Sequence, residues 1–328
     1  MAKDYSILTK RFFQHTTYWQ QVYEWEDIIK EGLSASFYPN FSLKPMGKLM
    51  KLFNKFPLVP QNKSLLFEMN PEWRWVNFYN RSNIIPWIID FYISSDEILE
   101  QFYRNFSKHQ VVMVSSIEAY NYLKSKNCPL HIVHMPLSLS DKFRINKDTS
   151  FKKEFDVLLM GRTNKVLLSY LEKYMVMHPE LNVVSCKIEN GHYNYYNRNG
   201  IYYGNADKRE DIIGLLNKSR IGLYTEKGIV GDTKQGARTE GFCHVTPRLF
   251  EYMMTGNHII AQYVDNAESE YFELKSLTPN IDNYEKFRQQ MDLYLATDVD
   301  MEMYSNYLDK HYTSTLLKPI KELLDSIG

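Results

Sequence analysis

The chain has 328 residues, with 39 Lys plus Arg against 39 Asp plus Glu and a formal net charge of zero. That length suits two domains of ordinary size. The balanced charge excludes the global basic field by which a chain of this kind would hold nucleic acid.

Taken in order, residues 18–32 (YWQQVYEWEDIIKEG) have the apolar spacing of a helix that stops at Gly32. Residues 47–57 (GKLMKLFNKFP) alternate Lys with Leu, Met and Phe at helical spacing. They predict a short basic amphipathic helix, of a kind that packs on its own domain or lies peripherally on an anionic membrane. Strands are expected at 64–69 (SLLFEM), 84–90 (IIPWIID), 110–116 and 130–136, with helices at 95–106 and 117–127 between them. No clear first strand precedes them. Residues 138–154 are polar and charged and read as a linker. The alternation then restarts: strand 155–161 (FDVLLMG), helix 164–178, strand 181–187, helix 207–219, strand 220–225, a helix opened by Thr246 and Pro247 and closed by Gly256, and strand 258–264. Helices at 284–296, 301–312 and 316–327 end the chain. Strand–helix alternation with short joins predicts parallel sheets covered by helices. Two such runs give two Rossmann-like, doubly wound α/β domains, 1–143 and 144–328.

Cys128, Cys186 and Cys243 are far apart and form neither a disulfide framework nor a metal spacing. The N-terminal residues lack the apolar region of a secretory signal, and no stretch has the length of a membrane span. A cytoplasmic protein is expected, with any membrane contact peripheral, at the inner face. The Tyr- and Asn-rich run at 192–205 (HYNYYNRNGIYYGN) fits an edge hairpin, or a surface for stacking on rings. Asp298 and Asp300 have the form of a metal-binding Asp-x-Asp, but their place between helices makes an N-cap cluster the better reading, and no metal is expected.

Ligands of open α/β sheets sit beyond the carboxyl ends of strands. Three polar clusters of the second half fall at such ends. In MGRTNK (160–165), Gly161 permits a close turn, while Arg162 and Lys165 suit phosphate oxygens. The Gly-rich loop 226–241 follows the strand ending RIGLYT. In 241–261 (GFCHVTPRLFEYMMTGNHIIA), Thr246 and Arg248 open a helix that carries Glu251, and a helix start with a free cation is an anion site. Dinucleotide-binding and P-loop glycine patterns are absent, as are zincin and nucleophile-elbow motifs.

These stretches resemble the C-terminal domain of the two-Rossmann (GT-B) glycosyltransferases, especially the large retaining family that builds bacterial surface polysaccharides. LLMGRTNK resembles that family's phosphate loop, and TEGFCHVTPRLFEYMMTGNHIIA its Glu-containing signature. VMVSS and VHMPLSLSDKF are similar to the end of its N-terminal domain. The resemblance spans roughly residues 84 to 296. It implies a nucleotide diphosphate sugar as donor substrate, no cofactor, and a glycan or lipid-linked acceptor. It further implies phosphate contacts from Gly161, Arg162 and Lys165, with Thr246 and Arg248 nearby, and ribose contacts from Glu251. Glu240 matches the signature's first glutamate, on the catalytic side, although ten residues separate it from Glu251. Either residues have been inserted there, or Cys243 takes that glutamate's place. For the acceptor's proton, Asp90 at a strand end is the leading carboxylate, with His15, His109 and His134 as alternatives. Because the first strand is hidden, a non-catalytic nucleotide-binding or partner subunit of the same fold is the other expectation. With Arg162 and Glu251 both placed in an open cleft, their Ala variants are expected to lose nucleotide and keep the fold.

Overall fold

The computed structural model describes residues 4–40, 60–69, 79–91, 93, 95–161, 164–226, 229 and 242–328. The chain forms two units, one from Met1–Lys142 with Tyr312–Gly328, the other from Phe143–Gly236 with Gly241–His311.

The first unit is built on six parallel strands: β1 (Tyr5–Thr9), β2 (Ser36–Pro39), β3 (Lys63–Glu68), β4 (Ile84–Ile88), β5 (Val112–Val114) and β6 (Ile132–His134), in the order β2-β1-β3-β4-β5-β6. β1 is the strand that the pattern of the sequence conceals. Only Ile7 and Leu8 are aliphatic in it, yet Ser6 and Thr9 are buried beside them. β2 escaped notice for the same reason, being four half-buried residues with one Pro. Helix α1 (Thr17–Gly32) buries Val22, Trp25 and Ile29, at the spacing of one helical face. Trp25 stacks on Trp87 of β4 at 6.1 Å, and Phe67 of β3 lies 5.2 Å from the same ring. Helices α2 (Asp96–Phe106) and α3 (Ile117–Ser125) begin at Ser95 and Ser116, whose hydroxyls accept N–H groups of the first turn.

The second unit carries β7 (Phe155–Leu159), α4 (Lys165–Met177), β8 (Val183–Glu189), β9 (His192–Asn197), β10 (Tyr202–Asn205), α5 (Arg209–Lys218), β11 (Ser219–Thr225), α6 (Arg248–Met254) and β12 (His258–Gln262). Its sheet order is β10-β9-β8-β7-β11-β12. The β7, β8, β11 and β12 strands are parallel, and β9 and β10 form an antiparallel edge. The Tyr-rich run is therefore an edge hairpin. Helices α7 (Ala267–Tyr271), α8 (Leu274–Leu277), α9 (Tyr284–Ala296) and α10 (Met301–Leu308) follow. Phe287 and Met291 of α9 join Val157, Leu171, Ile221 and Ile260 in one apolar core. Asp300 caps α10 by accepting the Met303 N–H at 2.9 Å.

One boundary differs from the expectation that 144–328 forms the second domain. Tyr312–Gly328, with helix α11 (Leu317–Ser326), packs in the first unit. Tyr312 bridges to Leu139, the Ser138 and Thr313 hydroxyls lie 3.0 Å apart, and Ile320 and Leu324 are buried. Their i, i+4 spacing marked an amphipathic helix in the sequence, but nothing in it named the sheet that covers the apolar face. The basic segment 47–57 and the glycine-rich loop, apart from Glu226 and Ile229, lie outside the described residues.

Candidate functional site

In the second unit β7 lies between β8 and β11, so the connection reverses direction at the β7/β11 boundary. A crevice opens at such a reversal, beyond the carboxyl ends of the strands. Met160–Gly161 leave β7 there, and Thr225–Glu226 leave β11. Gly161 has φ +77, a left-handed conformation that suits glycine. Asn164 caps α4 by accepting the Val166 and Leu167 N–H groups, and its amide donates to the Thr225 hydroxyl at 3.2 Å, which ties the two strand ends together.

Above this edge stands α6. Its start differs by one residue from the sequence expectation: the N-cap is Pro247, and no side chain caps the helix. Thr246 contributes backbone instead. Its carbonyl accepts the Leu249 N–H, and its own N–H donates to the Tyr224 hydroxyl at 3.2 Å. The Arg248 guanidinium lies over the Gly161 turn, with Nη1 3.5 Å from Met160 Sδ. A Cβ at position 161 would come 3.6 Å from its Nη2. Arg248 also pairs with Glu251 at 2.8 Å, and Glu251 pairs on its other side with Arg209 at the start of α5.

The Arg209 and Glu251 side chains are each 4% exposed, whereas that of Arg248 is 23% exposed. Burial alone would raise the Glu251 pKa, but the two guanidinium groups outweigh it and hold the carboxyl below its ordinary value. These three described side chains are two guanidinium groups and one carboxylate, and the most exposed of them is the Arg248 guanidinium. Such a group presents a planar fork suited to phosphate.

Gly161, Thr246, Arg248 and Glu251 are therefore brought together at one strand edge, and Lys165 begins the neighbouring helix with its side chain exposed. Arg162 and Glu240 lie outside the described residues. Sequence reasoning missed Arg209. The available signal was its place at the start of a helix that follows a strand, the same topological rule that singled out Arg248. Among the described residues no group of three or more His, Cys, Asp or Glu is placed to hold a metal ion.

The first unit has its own reversal, between β1 and β3. Lys10 follows β1 and pairs at 2.9 Å with Glu68, the last residue of β3. Glu26 of α1 accepts the Thr9 hydroxyl at 2.6 Å and pairs with Arg11 at 3.2 Å. Both carboxylates are buried. Asp90, two residues past β4, sits at the same edge, half-buried, its N–H donating to Met69 at 2.9 Å. Two of the three histidines are held by backbone. His109 binds the Ile84 carbonyl through Nδ1 at 2.7 Å, and burial lowers its pKa to about 4. His134 binds the Ser115 carbonyl at 3.2 Å, also with a lowered pKa. His15 is exposed in the turn after β1.

Burial pushes the Glu26 carboxyl from 4.5 up to about 7, against the opposing pull of Thr9 and Arg11. From about pH 4.5 to about 7 the folded chain then keeps a proton that the unfolded chain has lost. Stability should fall as pH rises through that window. Glu26→Gln is expected to flatten this decline in the urea midpoint. A slope identical to wild type would place the proton on another group.

The sequence matches no family model and no curated protein. Solved structures do match. The sucrose-phosphate synthase of Thermosynechococcus elongatus aligns over 99% of this chain and 98% of its own, at 8% identity and a TM-score of 0.63. AviGT4, a glycosyltransferase of avilamycin A biosynthesis, aligns over 98% and 96%, at 8% identity and a TM-score of 0.56. The fold is that of the GT-B glycosyltransferases. The pneumococcal O-GlcNAc transferase GtfA, solved with UDP and GlcNAc, matches 85% of this chain at 13% identity and a TM-score of 0.52. This chain covers 59% of GtfA's length. No helix among the described residues is long and apolar enough to cross a membrane.

Proposed function

We propose that this GT-B chain is a glycosyltransferase that moves a sugar from a nucleotide diphosphate sugar to a glycan or lipid-linked acceptor in surface polysaccharide synthesis. The observation that carries the reading is Arg248, held by Glu251 and backed by Arg209 over the Gly161 turn at the β7/β11 reversal. GtfA was solved with UDP, and sucrose-phosphate synthase and AviGT4 are named for glycosyl transfer or sugar synthesis. These likenesses support a nucleotide sugar as donor.

In this reading Arg248, with Lys165 and Arg162, neutralises the departing diphosphate, so that charge developing in the transition state meets fixed cations and the reaction needs no metal. Glu251 keeps Arg248 in one orientation, which spares the guanidinium from reorganising as the bond breaks. A ribose hydroxyl is the remaining partner assigned to the same carboxylate. Asp90 takes the proton of the acceptor hydroxyl. Unlike the buried Glu26 and Glu68 it is only half-buried, and a base that touches substrate has to be accessible. The basic residues of 47–57 suit a peripheral contact with an anionic membrane, where a lipid-linked acceptor would lie.

The test is thermal stabilisation by a panel of nucleotides and nucleotide sugars. One nucleoside diphosphate is expected to raise the apparent stability by about 2.7 kcal/mol at a hundredfold excess over its Kd. Arg248→Ala should weaken that binding about tenfold to a hundredfold, the loss of one charged hydrogen-bonding group. Undiminished affinity in that variant would move the donor away from this edge. Nucleotide released only when acceptor is added marks an enzyme, whereas binding without release marks a non-catalytic subunit of the same fold.

A further inference from the structure

The opposite, amino-terminal edge of the second sheet holds a cavity of about 360 Å³. That is some twelve times the roughly 30 Å³ share of one liquid water, and within the range of small-molecule pockets. Three strand starts line it. Lys153 lies two residues before β7, Arg220 is the second residue of β11, and His258 is the first of β12. Phe151 and Met301 supply apolar wall, and Gly256 lets the chain approach Phe151 closely: a Cβ there would come within 2.7 Å of the ring.

The charges of this cavity are not balanced from within. The neighbouring acid Glu154 is engaged by Lys218 at 3.3 Å, and Arg220 forms no ion pair with any described residue. The Lys153 ammonium donates to the Thr255 carbonyl at 2.7 Å and lies 5.2 Å from the centre of the Phe151 ring, with no carboxylate partner among the described residues. His258 binds the Thr297 carbonyl at 2.9 Å and stacks on Tyr294, and burial, with the Arg220 and Lys153 charges, lowers its pKa. Asp298, the one acid among the described lining residues, is exposed. Burial and the Arg220 charge together depress the Lys153 ammonium to about 7. An anion seated between the two groups would reverse that repulsion and return the proton to Lys153.

We propose that this cavity is a second ligand site, separate from the donor edge, that binds a small phosphate monoester with its phosphate between Lys153 and Arg220 and its organic part against Phe151 and Met301. Two basic side chains lining one cavity suit a dianion, and the volume exceeds what a bare phosphate fills. This site does not depend on the proposed glycosyl transfer. The two edges are opposite ends of the same strands.

Calorimetric titration in an Arg248→Ala background, which weakens phosphate binding at the donor edge, tests the assignment with inorganic phosphate and with a hexose 6-phosphate. The hexose phosphate is expected to bind at least tenfold more tightly than inorganic phosphate. Adding Arg220→Gln should weaken it tenfold or more, and adding Asp298→Asn should tighten it severalfold. Asp298 is exposed, so that variant leaves the fold intact. Acylation of the Lys153 amine, mapped by mass spectrometry at pH 7, should fall when the hexose phosphate is present. No binding of either probe, equal affinity in Arg220→Gln, or unchanged Lys153 labelling would each overturn the proposal. Tighter binding of inorganic phosphate than of the hexose phosphate would overturn the monoester assignment.

Discussion

Glu251→Ala is expected to cost about 3–5 kcal/mol of folding stability, because it takes the carboxylate away from the buried Arg209 guanidinium that it pairs with. The sequence alone suggests the opposite. A polar helix residue in a nucleotide cleft should be removable without harm to the fold. In the structure the Glu251 and Arg209 side chains are both 4% exposed and paired with each other. The pair itself need not be strongly stabilising, since desolvation offsets most of its attraction. A double variant, Arg209→Met with Glu251→Leu, should therefore recover most of the loss, while nucleotide affinity stays weakened because Arg248 has lost its partner. Urea unfolding of the wild type, the single variant and the double variant measures both expectations. A loss below about 1 kcal/mol in Glu251→Ala, the size of a surface pair, would mean that the carboxylate is solvated and free for ribose, as the resemblance implies.

How much of this was legible in the residues follows from what sets each feature. The strands after residue 60 were readable because runs such as SLLFE, FDVLL and RIGLYT are apolar on both faces, as parallel strands covered by helices must be. β1 was not. Ser6 and Thr9 are polar residues whose burial rests on hydrogen bonds made by distant partners, Ser36 and Glu26, and no local pattern announces them. Gly161 and Arg248 were readable because the rule of strand ends needs only the order of elements. Arg209 obeys the same rule, but its pairing with Glu251, 42 residues away, has no local signal. Periodicity likewise showed that Ile320 and Leu324 share a face, and only the tertiary structure shows that this face belongs to the first unit. Burial is decided by partners remote in sequence, which is why the sequence located the strand edge but did not show that Glu251 is buried between two guanidinium groups.

Gly222→Val is expected to damage stability and nucleotide binding together, at a position that bears no functional group. Gly222 lies in β11, paired to Leu158 on one side and Ile259 on the other, so the strand cannot step aside. A Cβ at this position would come 2.2 Å from the Tyr252 ring of α6, inside any real contact. Tyr252 is fully buried, and its hydroxyl donates to the Leu223 carbonyl at 3.2 Å, so the ring has little room to turn. The strain must pass to α6. Overpacking of this kind costs up to about 3 kcal/mol for one added methyl and more for Val. α6 also carries Arg248 and Glu251, and the Arg248 guanidinium lies 6.0 Å from the centre of the Tyr252 ring. A helix displaced by the new side chain moves the phosphate-facing cation with it. Gly222→Ala should therefore weaken nucleotide binding severalfold under conditions where the protein remains folded. Trimming the obstacle in Gly222→Ala/Tyr252→Leu should restore affinity more fully than it restores stability, because the shorter side chain frees the helix and leaves a void behind. Thermal midpoints and nucleotide titrations on the same samples separate the two effects. A destabilised Gly222→Ala protein with wild-type affinity would show that the cation is not positioned through α6.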